Sequence, residues 1–256
     1  MPFHGEHQSG ITKPPLAPQQ QGIFAAYDVT AKNRSELTHL FHTLTERARF
    51  LTSGGPAQPD PHSSGSGLHR INTFVWAHPP SPEPAWTTGG TYQVIRIVRF
   101  HLDEWNQVPV AQQQKIIGRH KVTGIPLNGG TNENSPVVYD PQGEVMPFNC
   151  HIRLANPQTV DSRFSAPNPY VRDKVPPVHI WRRSYQYMRA PDINGRMDAG
   201  HAFCCFQRKL STYIDMQQRL ENEMLVPFIT PTGGGYFFAL PGVTGDQDYY
   251  ARALLT

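Results

Sequence analysis

From Trp86 to Thr256, strand-like and helix-like stretches follow one another without the strict strand–helix–strand repeat of a parallel sheet. "TYQVIRIVRFHL" alternates like a strand, and "DEWNQVPVAQQQKIIG" reads as a helical stretch capped by Asp103 and closing near Gly118. "HIWRRSYQY" (His179 to Tyr187) and "GHAFCCFQ" read as strands, Thr212 to Leu220 as a helix and "GGGYFFALPG" as a last strand. Such an order predicts an α+β fold, an antiparallel sheet with helices over one face. The first half adds only a strand, "GIFAAYDV" (Gly22 to Val29), and a helix, Ser35 to Leu51, with Leu37, Leu40, Phe41, Leu44 and Ala48 at helical spacing. One strand and one helix cannot form a stable domain of their own. Between them and the second half, Ser53 to Ser81 is rich in Gly, Pro, Ser, Asp and His, interrupted only by "INTFVWAH", and reads as a linker. The expected division is a remnant at 1–55, a junction at 56–82 and a complete unit at 83–256.

The chain is 38% hydrophobic, enough for a sizeable core, and its net charge is only +3. No cluster of basic residues interleaved with aromatics would track a phosphate backbone, so no nucleic-acid partner is expected. No apolar run is long enough to span a bilayer, and "MPFHGEHQSGITKPP" lacks the apolar centre of a secretory signal. The expected location is cytoplasmic as the chain stands, and periplasmic or exported if a signal has been lost. Three cysteines, Cys150, Cys204 and Cys205, make no disulfide framework and are expected as thiols. The histidine pairs His4/His7 and His39/His42 lack the spacing and glutamate of a zinc protease motif. Gly233 to Gly235 lack the Lys-Ser or Lys-Thr of a phosphate loop.

Within "FNCHIRLANP" (Phe148 to Pro157), His151 stands between a cysteine and an alternating Ile-Arg-Leu-Ala run. A lone histidine is more often structural than ligating, and strand neighbours point to opposite faces, so Cys150 and His151 are not expected to act as a pair. Several motifs nevertheless occur together in order: "PFHGEHQSGI", "EPAWTTGGTYQV", "GRHKVTGIPL", "CHIRLANP", "WRRSYQY", "MDAGHAFCCFQR" and "GGGYFFALPGV". This series resembles the dye-decolourising haem peroxidases, most closely their deferrochelatase/peroxidase branch. The resemblance implies a ferredoxin-like C-terminal half holding haem b, with His151 as the axial ligand of the iron. It also implies that Asn156, Pro157 and Gln158 line the haem edge, and that Arg182 reaches over the opposite face as a catalytic and cofactor-binding residue. An imidazole suits peroxide activation, and the acceptor on its other nitrogen sets its basicity. Strand alternation sends only one of Arg182 and Arg183 into a pocket, and Arg183 competes for that place.

Two departures qualify the resemblance. Relatives carry an aspartate two residues before the histidine, where this chain has Asn149, and their GxxDG loop, with its proton-carrying aspartate, has no counterpart here. Asp173 and His179, in or beside the insert "RFSAPNPYVRDKVPP", are candidate replacements. The function expected is a haem-dependent peroxidase that uses hydrogen peroxide to oxidise a small-molecule reductant of dye, phenolic or porphyrin-like type, in a monomer or a homo-oligomer. The alternatives are a haem-binding protein with little turnover, because the aspartate loop is absent, and an interaction module that offers its apolar sheet to a partner.

Overall fold

The structure is a computed structural model that describes residues 3–8, 11, 25–52, 74–80, 82–133, 135, 140, 142–155 and 179–256. Asn156, Pro157, Gln158 and Asp173, together with most of the stretch read as linker, lie outside these residues.

Five strands build one antiparallel sheet: β1 (Thr91–Phe100), β2 (Trp181–Arg182), β3 (Tyr185–Arg189), β4 (Asp198–Gln207) and β5 (Ile229–Ala239). β1 and β4 are central, β5 lies on the outer side of β1, and β2 and β3 both pair with β4. With β2 and β3 counted as one interrupted strand, this is the antiparallel order of a ferredoxin-like sheet. The sequence reads His179 to Tyr187 as one strand. The chain instead breaks at Arg183 and Ser184, where the Arg183 amide donates to Cys204 O at 2.8 Å and Ser184 Oγ accepts from the Cys204 amide at 3.1 Å.

The helices are α1 (Arg34–Thr52), α2 (Leu102–Gln107), α3 (Val110–Ile117), α4 (His151–Ala155), α5 (Leu210–Leu220) and α6 (Arg252–Leu255). The single stretch expected after β1 is two helices, because Pro109 lacks an amide proton and biases Val108 away from helical angles. Asp103 is not its cap: it sits in the first turn of α2, after His101. Gly118 closes α3 in the left-handed region, at φ +92°.

Period two sorts the sheet's side chains onto two faces. On one face Val94 and Cys205 pack with Tyr213, Met216 and Leu220 of α5 and Leu154 of α4, with Phe203 and Ile180 alongside. Burial of each large apolar side chain here contributes about 1.5–3 kcal/mol. On the other face Cys204 and Phe206 pack against Val75 and Trp76. These two are 0% and 2% exposed, so the packed core already begins inside the 56–82 stretch assigned to the junction.

The strand expected at Gly22 to Val29 is not formed where it is described: Ala25 to Val29 are exposed and irregular, with no partner strand among the described residues. α1 does form, and it docks on the last helix. Thr45 Oγ1 accepts from the Tyr250 amide at 3.0 Å, His42 stacks on Tyr249 at 3.9 Å, and Arg34 donates to Leu255 O. Among the described residues no helix is long and apolar enough to cross a membrane.

Candidate functional site

His151 does not lie on a strand: it opens the five-residue helix α4. The residues before it form a tight loop that Asp140 and Arg153 organise. The Asp140 carboxylate accepts from the amides of Glu144, Val145 and Met146, while buried Arg153 donates to Met146 O at 2.8 Å and Asp140 O at 3.0 Å. The guanidinium also lies 4.4 Å over the Phe148 ring and 3.7 Å from the Asp140 carboxylate. Burial lowers the Arg153 pKa from its usual value, with Asp140 opposing that effect. Gly118 allows the end of α3 to reach α4, since a Cβ there would meet Cys150 Sγ and Ile152 Cγ1 at 2.8 Å.

His151 Nδ1 donates to Glu223 Oε2 at 2.6 Å, and the Glu223 side chain is only 4% exposed. A carboxylate on Nδ1 fixes the tautomer and leaves Nε2 as the nitrogen able to bind a metal. The His151 side chain is 31% exposed, so one edge of the ring remains accessible. The acceptor that sequence reasoning sought at position 149 is therefore supplied by Glu223. The signal was faint, because "ENE" after α5 offers two carboxylates in a chain-surface setting and nothing local says that one is buried.

Among the described residues no three His, Cys, Asp or Glu side chains gather as a metal-binding group. A bare structural zinc needs about four protein ligands, whereas the iron of a haem takes its equatorial donors from the porphyrin and needs one axial imidazole. A single histidine backed by a buried carboxylate fits the second case. The cysteines offer no competing chemistry: all three are free and buried, and burial raises the pKa of each thiol.

Arg182 pairs with Cys205 across β2 and β4, and directly opposed residues project to the same face. Cys205 lies in the cluster with Leu154 and Tyr213, so Arg182 is on the same face as α4 and α5, at an exposed position on the edge strand β2. Arg183 turns the other way, donating to Ile11 O at 3.2 Å beside Trp181, whose Nε1 donates to the same oxygen at 3.0 Å. The pair is thereby separated as alternation requires. Burial, and after it the Arg182 charge, lowers the pKa values of Arg119 and His201, which places these two side chains in the same electropositive neighbourhood. His179 is not brought there: it tilts against Phe74, with centroids 5.4 Å apart, beside the opposite face.

The family description "Dyp-type peroxidase, C-terminal" matches residues 66–244, and "Dyp-type peroxidase, N-terminal" matches residues 8–73. The deferrochelatase of Escherichia coli (strain K12) is 40% identical over 204 residues, covering 78% of this chain and 44% of that protein. The deferrochelatase of Yersinia pestis is 39% identical over 187 residues, covering 72% and 40%. Among solved structures, a DyP-type peroxidase from Streptomyces coelicolor superposes with a TM-score of 0.59 at 28% identity, over 79% of this chain and 50% of its own. One from Cellulomonas bogoriensis gives 0.59 at 26% identity, over 88% and 64%. The chain spans less than half the length of these two deferrochelatases.

Proposed function

Since the chain belongs to the Dyp-type peroxidase family, we propose that it is a haem-dependent peroxidase in which His151 would hold the haem iron and Arg182 would act on the bound peroxide. The observation that carries the reading is the 2.6 Å contact from His151 Nδ1 to the buried Glu223 carboxylate. When bound, haem b supplies the redox-active iron with which hydrogen peroxide is reduced at the expense of a small-molecule reductant of dye, phenolic or porphyrin-like type. Glu223 keeps the proton on Nδ1 and, by drawing on it, makes Nε2 a stronger donor. Arg182 holds a permanent positive charge on the sheet face, suited to an oxygen that becomes negative as the O–O bond of peroxide breaks. Asn156, Pro157 and Gln158 follow α4 directly and are assigned to the cofactor edge by their place in the family motif.

The test is titration of the full chain with hemin, followed by peroxide and a phenolic or dye reductant. Wild type is expected to give a shifted, saturable Soret band and turnover, and His151→Ala to lose both while remaining folded. Equal hemin binding by His151→Ala would overturn the ligand assignment. Hemin binding by wild type without turnover would favour the haem-binding protein that lacks an efficient proton carrier.

A further inference from the structure

α4 is too short to hold itself in place. Over its five described residues, only the first carbonyl can meet an amide within the helix. Helices of this length are unstable in isolation, so the orientation of His151 depends on what grips α4 from outside. Arg219, in the last turn of α5, supplies such a grip: its Nε donates to Leu154 O at 3.0 Å and its Nη2 to Ala155 O at 3.2 Å. Just beyond, the chain turns through a bond from the Glu223 amide to Leu220 O at 3.3 Å, and Glu223 takes the His151 ring. One helix end thus holds the short helix twice, by its terminal carbonyls and by its imidazole.

Two points of attachment do what one cannot. A ring held only through Nδ1 can swing about that hydrogen bond as its helix tilts, and Nε2 swings with it. With the far end of α4 tied down, the direction of Nε2 is fixed too. We propose that Arg219 is a positioning residue for His151, anchoring the Leu154 and Ala155 carbonyls so that the Glu223 contact sets where Nε2 points as well as which nitrogen carries the proton. The planar guanidinium is suited to the task, because its fork spans two successive carbonyls where a lysine ammonium would satisfy one at a time. The inference rests on the reading of His151 as the axial ligand, but the clamp itself is measurable without any cofactor.

The experiment compares full-length wild type, Arg219→Met, Arg219→Lys and Glu223→Gln by four readouts. These are the ring ¹⁵N resonances of His151 without hemin, amide exchange at Arg153 and Leu154, thermal unfolding, and hemin affinity. Arg219→Met keeps an apolar stem and removes the donors. It is expected to broaden the His151 ring signals, speed exchange at Arg153 and Leu154, and weaken hemin binding by about 10- to 100-fold, the range typical of losing a group that orients a metal ligand. Arg219→Lys is expected to recover part of each effect. Sharp, wild-type ring signals in Arg219→Met would overturn the proposal. So would a fall in unfolding temperature that tracks the loss of hemin affinity equally in the Met and Lys variants, since that marks a merely structural arginine. If wild type takes up no hemin through His151, the functional reading fails, and the ring signals and exchange rates alone decide the clamp.

Discussion

Glu223 reaches His151 across 72 positions of sequence, and no local pattern marks the pair. The histidine was legible only through the motif it belongs to; its carboxylate became visible once α5 had folded onto α4. Glu223→Gln keeps an acceptor but removes the charge, so hemin affinity is expected to fall by about 10- to 100-fold with the fold intact, as read by hemin titration beside circular dichroism. His201 allows a second check at this scale. Burial first, and Arg182 second, hold its imidazole below the ordinary value of about 6.5. The unfolded chain therefore takes up this proton before the folded one does. The stability it contributes is present above about pH 6.5 and is lost as pH falls through that value towards the lowered one. Unfolding temperature should accordingly decline on acidification below about pH 6.5, and more steeply in wild type than in His201→Gln.

The elements legible in the sequence are the long ones. β1, β4 and α5 fall where the sequence places two strands and a helix: β1 and β4 pair along eight residues in the middle of the sheet, and α5 buries Tyr213, Met216 and Leu220 at helical spacing. The errors fall on short pieces decided by tertiary context. Ile152 to Ala155 alternate like a strand, yet fold as α4 because Arg153 is drawn into the Asp140 loop and Arg219 caps the far end. Ala25 to Val29 carry a strand-like pattern but find no strand to pair with among the described residues, and an unpaired strand has no ladder to stabilise it. The break between α2 and α3 was written in Val108-Pro109 and could have been read. Gly118 was legible as a helix stop, but its second role, letting α3 touch Cys150 and Ile152, was not. Gly118→Ala should cost about 1–2 kcal/mol for the left-handed backbone alone. The contact at 2.8 Å adds to that by pushing on α4. A lower unfolding temperature together with weaker hemin binding is the expected result, and a purely local strain would leave hemin binding unchanged.

At the scale of the whole molecule, the groups assigned to the site come from two layers. His151, Glu223 and Arg219 belong to the helix layer, and Arg182 belongs to the sheet beneath it. α1 docks at the rim, on the segment from Tyr249 to Leu255, and farther up the chain Ile11 O takes the Trp181 Nε1 donor on the other face of the sheet. Binding and chemistry should therefore separate on mutation. Hemin binding depends chiefly on the helix layer, so Arg182→Leu is expected to change hemin affinity far less than His151→Ala or Glu223→Gln. Removal of one preorganised charge from a developing oxyanion typically slows a reaction by about 10²- to 10³-fold, and Arg182→Leu should slow peroxide reduction by a factor of that order. The chain has no GxxDG loop, and a positioned proton carrier is typically worth about 10²- to 10⁴-fold. Its peroxide reaction should consequently lean on Arg182, and a segment containing GFKDG grafted before Phe74 should raise the rate without altering hemin affinity. Stopped-flow mixing of the hemin-loaded protein with peroxide reads both effects. Should Arg182→Leu react as fast as wild type, with and without the graft, the charge on the sheet face is a structural or surface arginine and the peroxide is handled elsewhere.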